Sequence, residues 1–367
     1  MSASDRPGTT GSKLSSPPFS LRKATPEDVR GIAALLKPYE YADGSSEEAV
    51  RKLYEWQFAS NPIGAGEALV AVDVEGKIVG HEGFVPMRLV RQGRTVAAAL
   101  PGKLVVHERF RKSMLFLRLE SRFLASYQAS GIEFLYCTAR NDLKAHYALG
   151  FRSIGTIGVL ARPYRLGAIA RRALGSFAPL ASVVRLPAEW ALRRSWTFAG
   201  GKIAVQQASR FSEELEPFLT RTQRCFEFAA ERRVQVLNWR FGFAPRGYVL
   251  FVARDQGEPV GYIVLRDMPM GEFRTLAVVD LFHDPRRSEV GAALLRAAHR
   301  TAVALGVELA SCLISPGSPL YPVVRRAGFL RTPESFELMV HQPKGSTPLD
   351  NSDFASWHVT WFDHDYV

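Results

Sequence analysis

Two stretches of this 367-residue chain say nearly the same thing: Gly131 to Cys137 reads GIEFLYC, and Gly306 to Cys312 reads GVELASC. Each follows a long amphipathic segment and leads into a Gly-Phe pair, Gly150-Phe151 and Gly328-Phe329. Further upstream, DVEGKIVG from Asp73 matches DQGEPVG from Asp255. A set of segments recurring in fixed order implies two copies of one structural unit. The length is comfortable for two cores. The repeat divides the chain into a polar tail (1–18), a first unit (19–160), a connector (161–200), a second unit (201–345) and a tail (346–367).

Each unit reads as strand, helices, strand, turn, strand, strand, long helix, strand, short helix, strand, hence a mixed α/β sheet in two tandem copies. In the first, Phe19 to Lys23 is a strand, Thr25 caps a helix with Pro26 at its first position, and Ser45 with Glu48 forms a capping box for a second helix. Ala68 to Val74 and Lys77 to Val85 make a hairpin about Glu75-Gly76. Thr95 to Val106 is the next strand, with a bulge or bend expected at Pro101-Gly102. Leu115, Leu119, Phe123 and Tyr127 give Ser113 to Ser130 its helical period. In the second unit, Glu213 to Phe218 and Gln223 to Phe228 read as helices, and Ser288 to Leu305 is the long helix.

Composition narrows the function. Twenty-three Phe and six Trp argue against disorder. No run of about 18 uncharged apolar residues exists, so no transmembrane helix is expected. The N-terminus lacks the apolar stretch of a secretory signal, which points to the cytoplasm. Cys137, Cys225 and Cys312 form no CxxC pair and read as small core residues of a reducing compartment. The net charge is +11, and the connector holds +6 of it: Arg162, Arg165, Arg171, Arg172, Arg185, Arg193 and Arg194 against Glu189. It reads as a solvated helix pair, or as a dock for acyl carrier protein or an anionic membrane face. No basic-aromatic platform supports nucleic acid.

The ordered pieces TPEDVRGIAALL from Thr25, EGKIVGHEGFVP from Glu75, VVHERFRKSMLFLRL from Val105 and NDLKAHYALGF from Asn141 resemble the GNAT superfamily of acyl-CoA N-acyltransferases. DQGEPVGYIVL from Asp255 and LYPVVRRAGF from Leu320 repeat the likeness in the second unit. The resemblance implies a twisted mixed sheet in which two parallel strands part beside a bulge. It implies acetyl-CoA or another acyl-CoA in that gap, its pantetheine arm running as an extra strand, and its pyrophosphate at the start of the long helix. Carried over by position, the cofactor-binding residues are Val105, Val106, Arg109, Arg111, Lys112, Ser113, Met114, Leu115 and Asn141. Met114 stands where a glycine would let backbone approach the phosphates, and in the second unit Glu289 stands near a phosphate-facing position. The first unit is therefore the better cofactor site.

Acyl transfer to an amine needs a base for the nucleophile and an acid for the departing thiolate. The resemblance offers Tyr147 as the acid, with His146 in the neighbouring place, and Glu82, His107 or Glu108 as the base. Asp280, His283 and Asp284 form a counterpart cluster in the second unit; Asp280, on an apolar strand, must be paired or protonated if buried. His358, Asp363, His364 and Asp365 match no metal motif, so no metal is expected, and this tail reads as a closing strand with a polar end. The expected activity is transfer of an acetyl or longer acyl group from acyl-CoA, or from acyl carrier protein, to a small-molecule amine: an amino sugar, an amino acid or a polyamine. The rivals are a non-catalytic interaction protein of the same fold and a FemABX-like transferase using aminoacyl-tRNA.

Overall fold

The computed structural model describes residues 19–40, 46–91, 93–140, 143–167, 189, 202–346, 349 and 354–364. Both tails in part, Asn141 and most of the Arg-rich connector lie outside these. Among the described residues one sheet of 14 strands runs through the molecule. Its first half contains β1 (Phe19–Lys23), β2 (Glu67–Asp73), β3 (Ile78–Arg91), β4 (Arg94–Val106), β5 (Phe134–Ala139) and β6 (Arg152–Pro163). Its second half contains β7 (Ala204–Ala208), β8 (Phe228–Ala230), β9 (Tyr248–Asp255), β10 (Glu258–Met270), β11 (Phe273–His283), β12 (Leu309–Leu313), β13 (Leu330–His341) and β14 (Trp357–His358).

The two halves share their middle. The strand order is β1-β2-β3-β4-β5-β13-β6-β12-β11-β10-β9-β7. β13, the closing strand of the second unit, lies beside β5 (Met339 opposite Cys137), while β6 of the first unit lies beside β12 (Leu160 opposite Cys312). β6 and β13 pair with each other, Phe336 opposite Ile157. The repeat is legible in sequence, but the sequence does not say that the final strands are exchanged. An exchanged antiparallel strand satisfies the same ladder of N–H and C=O groups as a strand of its own unit would.

Helices α1 (Val29–Glu40) and α2 (Glu47–Phe58) cover one face of the first half, packing Ile32, Leu36, Val50 and Phe58 on Val70 and Val105. The cap of α2 is Ser46, which accepts from the Ala49 amide, one residue later than the sequence reading places it. α3 (Leu115–Tyr127) covers the opposite face, with Leu115, Leu119 and Phe123 against Leu69, Ala71 and Phe84. α4 (Leu143–Ala148) follows β5. Both copies of the repeated motif begin with a glycine in the left-handed region that ends the long helical segment, φ 73° at Gly131 and 65° at Gly306.

The second half adds α5 (Glu216–Gln223), α6 (Val234–Phe241), α7 (Ser288–Leu305) and α8 (Tyr321–Arg326). One expectation fails here, and one helix was not foreseen. Gln223 to Phe228 is not a helix: α5 ends at Gln223, and Phe228 begins β8, where it packs on Trp357 with ring centroids 3.8 Å apart. α6 has no sequence signal. Its N-cap is Arg233, which makes no side-chain cap, and its Val, Trp and Phe residues are middling helix formers. Burial of Val234, Val236, Leu237 and Phe241 in the shared core makes it helical.

Candidate active site

Strands β4 and β5 run parallel but pair only at Ala98–Phe134 and Ala99–Leu135. Beyond that point β4 stays bonded to β3 and β5 to β13. Each therefore presents a free ladder edge to the other across a widening gap, the arrangement that accepts an inserted extended chain. β4 carries one extra residue at this place: His81 faces Val105, yet Gly83 faces Gly102. The bulge falls at Lys103, whose φ of 64° is left-handed, one residue past the Pro101-Gly102 pair.

Above the gap on the α3 face lies a buried acid pair. Glu82 of β3 and Glu120 of α3 are 2% and 3% exposed and hydrogen-bond to each other. One oxygen of each, Oε2, has no partner. Burial, and then the Glu120 carboxyl, hold Glu82 well above the usual carboxylate range; burial also raises Glu120. Two carboxyls in such contact disfavour carrying both charges at once. His146 of α4 is half-buried against Phe151, ring centroids 5.4 Å apart, and close enough to Glu120 to favour its charged form. Tyr147 points the other way and is 51% exposed. The inward residue of α4 is thus His146.

The other candidates fall outside this cluster. His107 and Glu108 are exposed at the end of β4; His107 Nδ1 accepts the Arg109 amide at 3.3 Å and caps a short 3-10 turn. Arg109, Arg111 and Lys112 line the exposed loop before α3, where Arg111 donates to the Tyr39 hydroxyl at 2.6 Å. Ser113 Oγ accepts the Leu115 amide at 3.1 Å and donates to the Phe110 carbonyl, and Met114 is the exposed N-cap residue. Leu115 is buried beneath α3, Val105 faces α1 and α2, and Val106 packs partly on the α3 core. The structure therefore brings Glu82 together with Glu120 and His146 and leaves His107 and Glu108 apart. Glu82 faces away from α2, so a base for an amine arriving on the α2 face is not what its position provides.

The second half repeats the gap and closes it. β11 and β12 pair in parallel from Thr275–Leu309 to Val278–Cys312 and then part, with an extra residue in β11 before Asp280. The C-terminal segment fills the opening. Ile314 bridges to Thr360, the Ser315 amide donates to the Val359 carbonyl at 3.0 Å, and Thr360 Oγ1 donates to Asp280 at 2.9 Å. Asp280 is buried and paired twice with Arg232, both bonds 3.0 Å, and accepts from Tyr262 at 2.6 Å. Burial pushes its pKa up, but the Arg232 guanidinium outweighs this and holds it low. At the start of α7 the His283 ring lies against Gly291, where a Cβ would come within 2.3 Å of Nε2. That glycine, the one match to a phosphate-approach position, is covered from within.

No group of three or more His, Cys, Asp or Glu among the described residues could hold a metal ion. No helix among them is long and apolar enough to cross a membrane.

Sequence reading missed Glu120, which looks like an ordinary helix carboxylate, and Arg232, one of two adjacent arginines. Only burial distinguishes them.

Comparison with known proteins agrees with this geometry. Residues 20–151 match the acetyltransferase (GNAT) domain model. A GCN5-related N-acetyltransferase from Anabaena variabilis superposes with a TM-score of 0.63 at 12% identity, over 88% of this chain and 72% of that one. A probable N-acyltransferase from Enterococcus faecalis gives 0.61 at 10% identity over the same shares. A GCN5-related N-acetyltransferase from Kribbella flavida gives 0.58 at 15% identity, over 89% and 71%. No protein of curated function matches the sequence. At these identities the structural likenesses speak for the fold alone, and the GNAT assignment is that of the matched segment, residues 20–151.

Proposed function

We propose that the β4–β5 gap binds an acyl-CoA and that the protein transfers the acyl group to a primary amine. The observation that carries this is the pair of free strand edges beyond Ala99 and Leu135, beside the bulge at Lys103. A pantetheine arm is an extended amide chain, and such edges offer it N–H and C=O partners. The start of α3, with Arg109, Arg111 and Lys112 around it, supplies positive charge for a pyrophosphate.

The gap side of α4 supplies the acid. As the amine attacks the thioester carbon, a C–N bond forms and the C–S bond breaks, leaving a thiolate. His146 protonates the sulfur and is recharged by the Glu120–Glu82 pair; the proton released from nitrogen passes to solvent, from which the pair regains its own. Atoms balance as amine plus thioester giving amide plus thiol.

Isothermal titration with acetyl-CoA and octanoyl-CoA tests the reading. One site per chain is expected, with Arg111→Glu weakening it at least tenfold. Binding of neither thioester, with the fold intact, overturns the acyltransferase and favours an interaction protein.

A further inference from the structure

His81 lies in β3 next to Glu82, so its ring leaves the sheet on the opposite face, toward α2, where it is fully buried. Both ring nitrogens are taken: Nδ1 lies 2.8 Å from the Lys103 carbonyl, and Nε2 lies 3.1 Å from the Tyr54 hydroxyl of α2. A carbonyl only accepts, so Nδ1 carries the proton and Nε2 accepts from the tyrosine. The ring meets Tyr54 and Phe58 edge to face, with centroids 5.4 and 5.9 Å away, and those two rings stack on each other at 4.4 Å. Its tautomer and its orientation are therefore both fixed.

The carbonyl that His81 binds belongs to the extra residue of β4. A bulge leaves that residue outside the regular ladder and bends its strand. Lys103 is buried, and its left-handed φ of 64° is one that a side chain disfavours. Such a backbone persists where its surroundings hold it. An N–H aimed at this carbonyl, from a ring locked against α2, is such a hold. The Lys103–Leu104 peptide is trans, so its N–H points opposite to its C=O. With the carbonyl bound toward α2, the Leu104 amide is turned away from that face. We propose that His81 is a positioning residue for acyl-CoA: through Nδ1 it holds the β4 bulge and so keeps β4 bent away from β5 along the free edges. This rests on the acyl-CoA reading above, because the gap it props open is the one assigned to the thioester. Tyr54 contributes less. It steadies the ring from the other nitrogen, and Nδ1–H reaches the carbonyl without it.

Two amide substitutions separate this role from packing. In asparagine, as in histidine, a nitrogen is bonded to Cγ; in glutamine the amide nitrogen lies one atom further out, at the place of Nε2. Both remove the ring, so both lose stability to urea alike. Calorimetric titration of the full chain with acetyl-CoA is expected to keep His81→Asn and Tyr54→Phe within about threefold of the parent and to weaken His81→Gln about tenfold. Amide NMR reads the bulge without ligand: the Lys103 and Leu104 signals are expected to hold in His81→Asn and to move in His81→Gln. Equal affinity losses in the two variants, or a full loss in His81→Asn whatever His81→Gln does, overturn the proposal. So does a parent His81 ring whose proton sits on Nε2, read by nitrogen NMR of histidine-labelled protein at neutral pH. Failure of the parent to bind acetyl-CoA, with the bulge signals behaving as expected, sinks the acyl-CoA reading and keeps the hold on the bulge. Binding by the parent with equal losses in both variants sinks the role of His81 alone.

Discussion

The two gaps are built alike and used differently. Each lies between parallel strands that part after two to four paired residues, and each has a bulge in its leading strand. In the first, the free edges face each other and the polar groups nearby, Glu82, Glu120 and Gln57, keep unpartnered oxygens. In the second, Arg232, Thr360 and Tyr262 satisfy Asp280, the C-terminal segment takes the free edge, and His283 covers Gly291. The two gaps share an architecture. Polar satisfaction separates the closed one from the one whose neighbouring polar groups keep unpartnered oxygens.

The largest effect expected from breaking this contrast is at Arg232. Arg232→Leu leaves Asp280 charged, buried and without its guanidinium, a loss of about 3–5 kcal/mol. Urea unfolding measures it. Replacing both, Arg232→Leu with Asp280→Leu, should recover most of the loss, because no buried charge remains. A single variant losing under about 1 kcal/mol would mean that the second gap is not held shut by this pair.

Acid comes next. Burial lowers His283 to about 4 and His358 to about 3, and both carry an unpartnered Nε2. Arg232 further disfavours charge on His358, while Asp280 opposes this; Asp284 and Glu289 face His283 from its own side. A depressed histidine stabilises the fold fully above its unfolded pKa, near 6.5, and loses that contribution as pH falls toward the folded value. Each shift corresponds to roughly 3–5 kcal/mol. Asp363 has the opposite sign: burial raises it to about 6, so its contribution is present at low pH and fades as pH rises through 6. His81 on the first side, lowered by burial to about 4, adds to the acid sensitivity. Stability is therefore expected to fall from pH 6.5 toward pH 4, and His358→Gln to flatten that fall more than any change at exposed His107. Equal slopes in the two variants would break the assignment to the closed gap.

A tenfold effect is expected at Glu120. Glu120→Gln keeps a neutral, hydrogen-bonding partner for Glu82, so stability should change by about 1 kcal/mol or less. If the pair recharges His146, kcat falls about tenfold and the acid limb of its pH profile moves, while the acetyl-CoA affinity holds. A variant with unchanged kcat and profile assigns the pair to packing.

How much of this could be read from the sequence follows the range of the interactions. Periodicity and turn glycines are local, so α3, the β2–β3 hairpin and the bulge near Pro101-Gly102 were all legible. Asp280 was legible as a residue needing a partner, because a carboxylate in an apolar strand has few options; its partner Arg232, 48 positions away, was not. The exchange of β6 and β13 is invisible because the ladder bonds carry no side-chain identity. Tyr147 and His146 were adjacent alternatives, and only the seating of α4 on Phe151 turned the histidine inward. His81 and Tyr54 lie on a strand and a helix, 27 positions apart, that no local pattern connects.

The smallest effect bears most directly on why the first gap is the open one. Met114 is the N-cap residue of α3, 59% exposed, with φ −75° and ψ 8°. A glycine there removes side chain from in front of the first amides of the helix, and at a cap position it costs only a few tenths of a kcal/mol relative to good capping residues. Met114→Gly is therefore expected to tighten acetyl-CoA binding about threefold by calorimetry. Glu289→Gly is the matching change at the start of α7 and should produce no second site. His283 still lies over Gly291 and Thr360 still holds the gap, so removing one repelling charge opens nothing. Two sites in Glu289→Gly would show that loop charge, rather than the filled gap, had silenced the second copy.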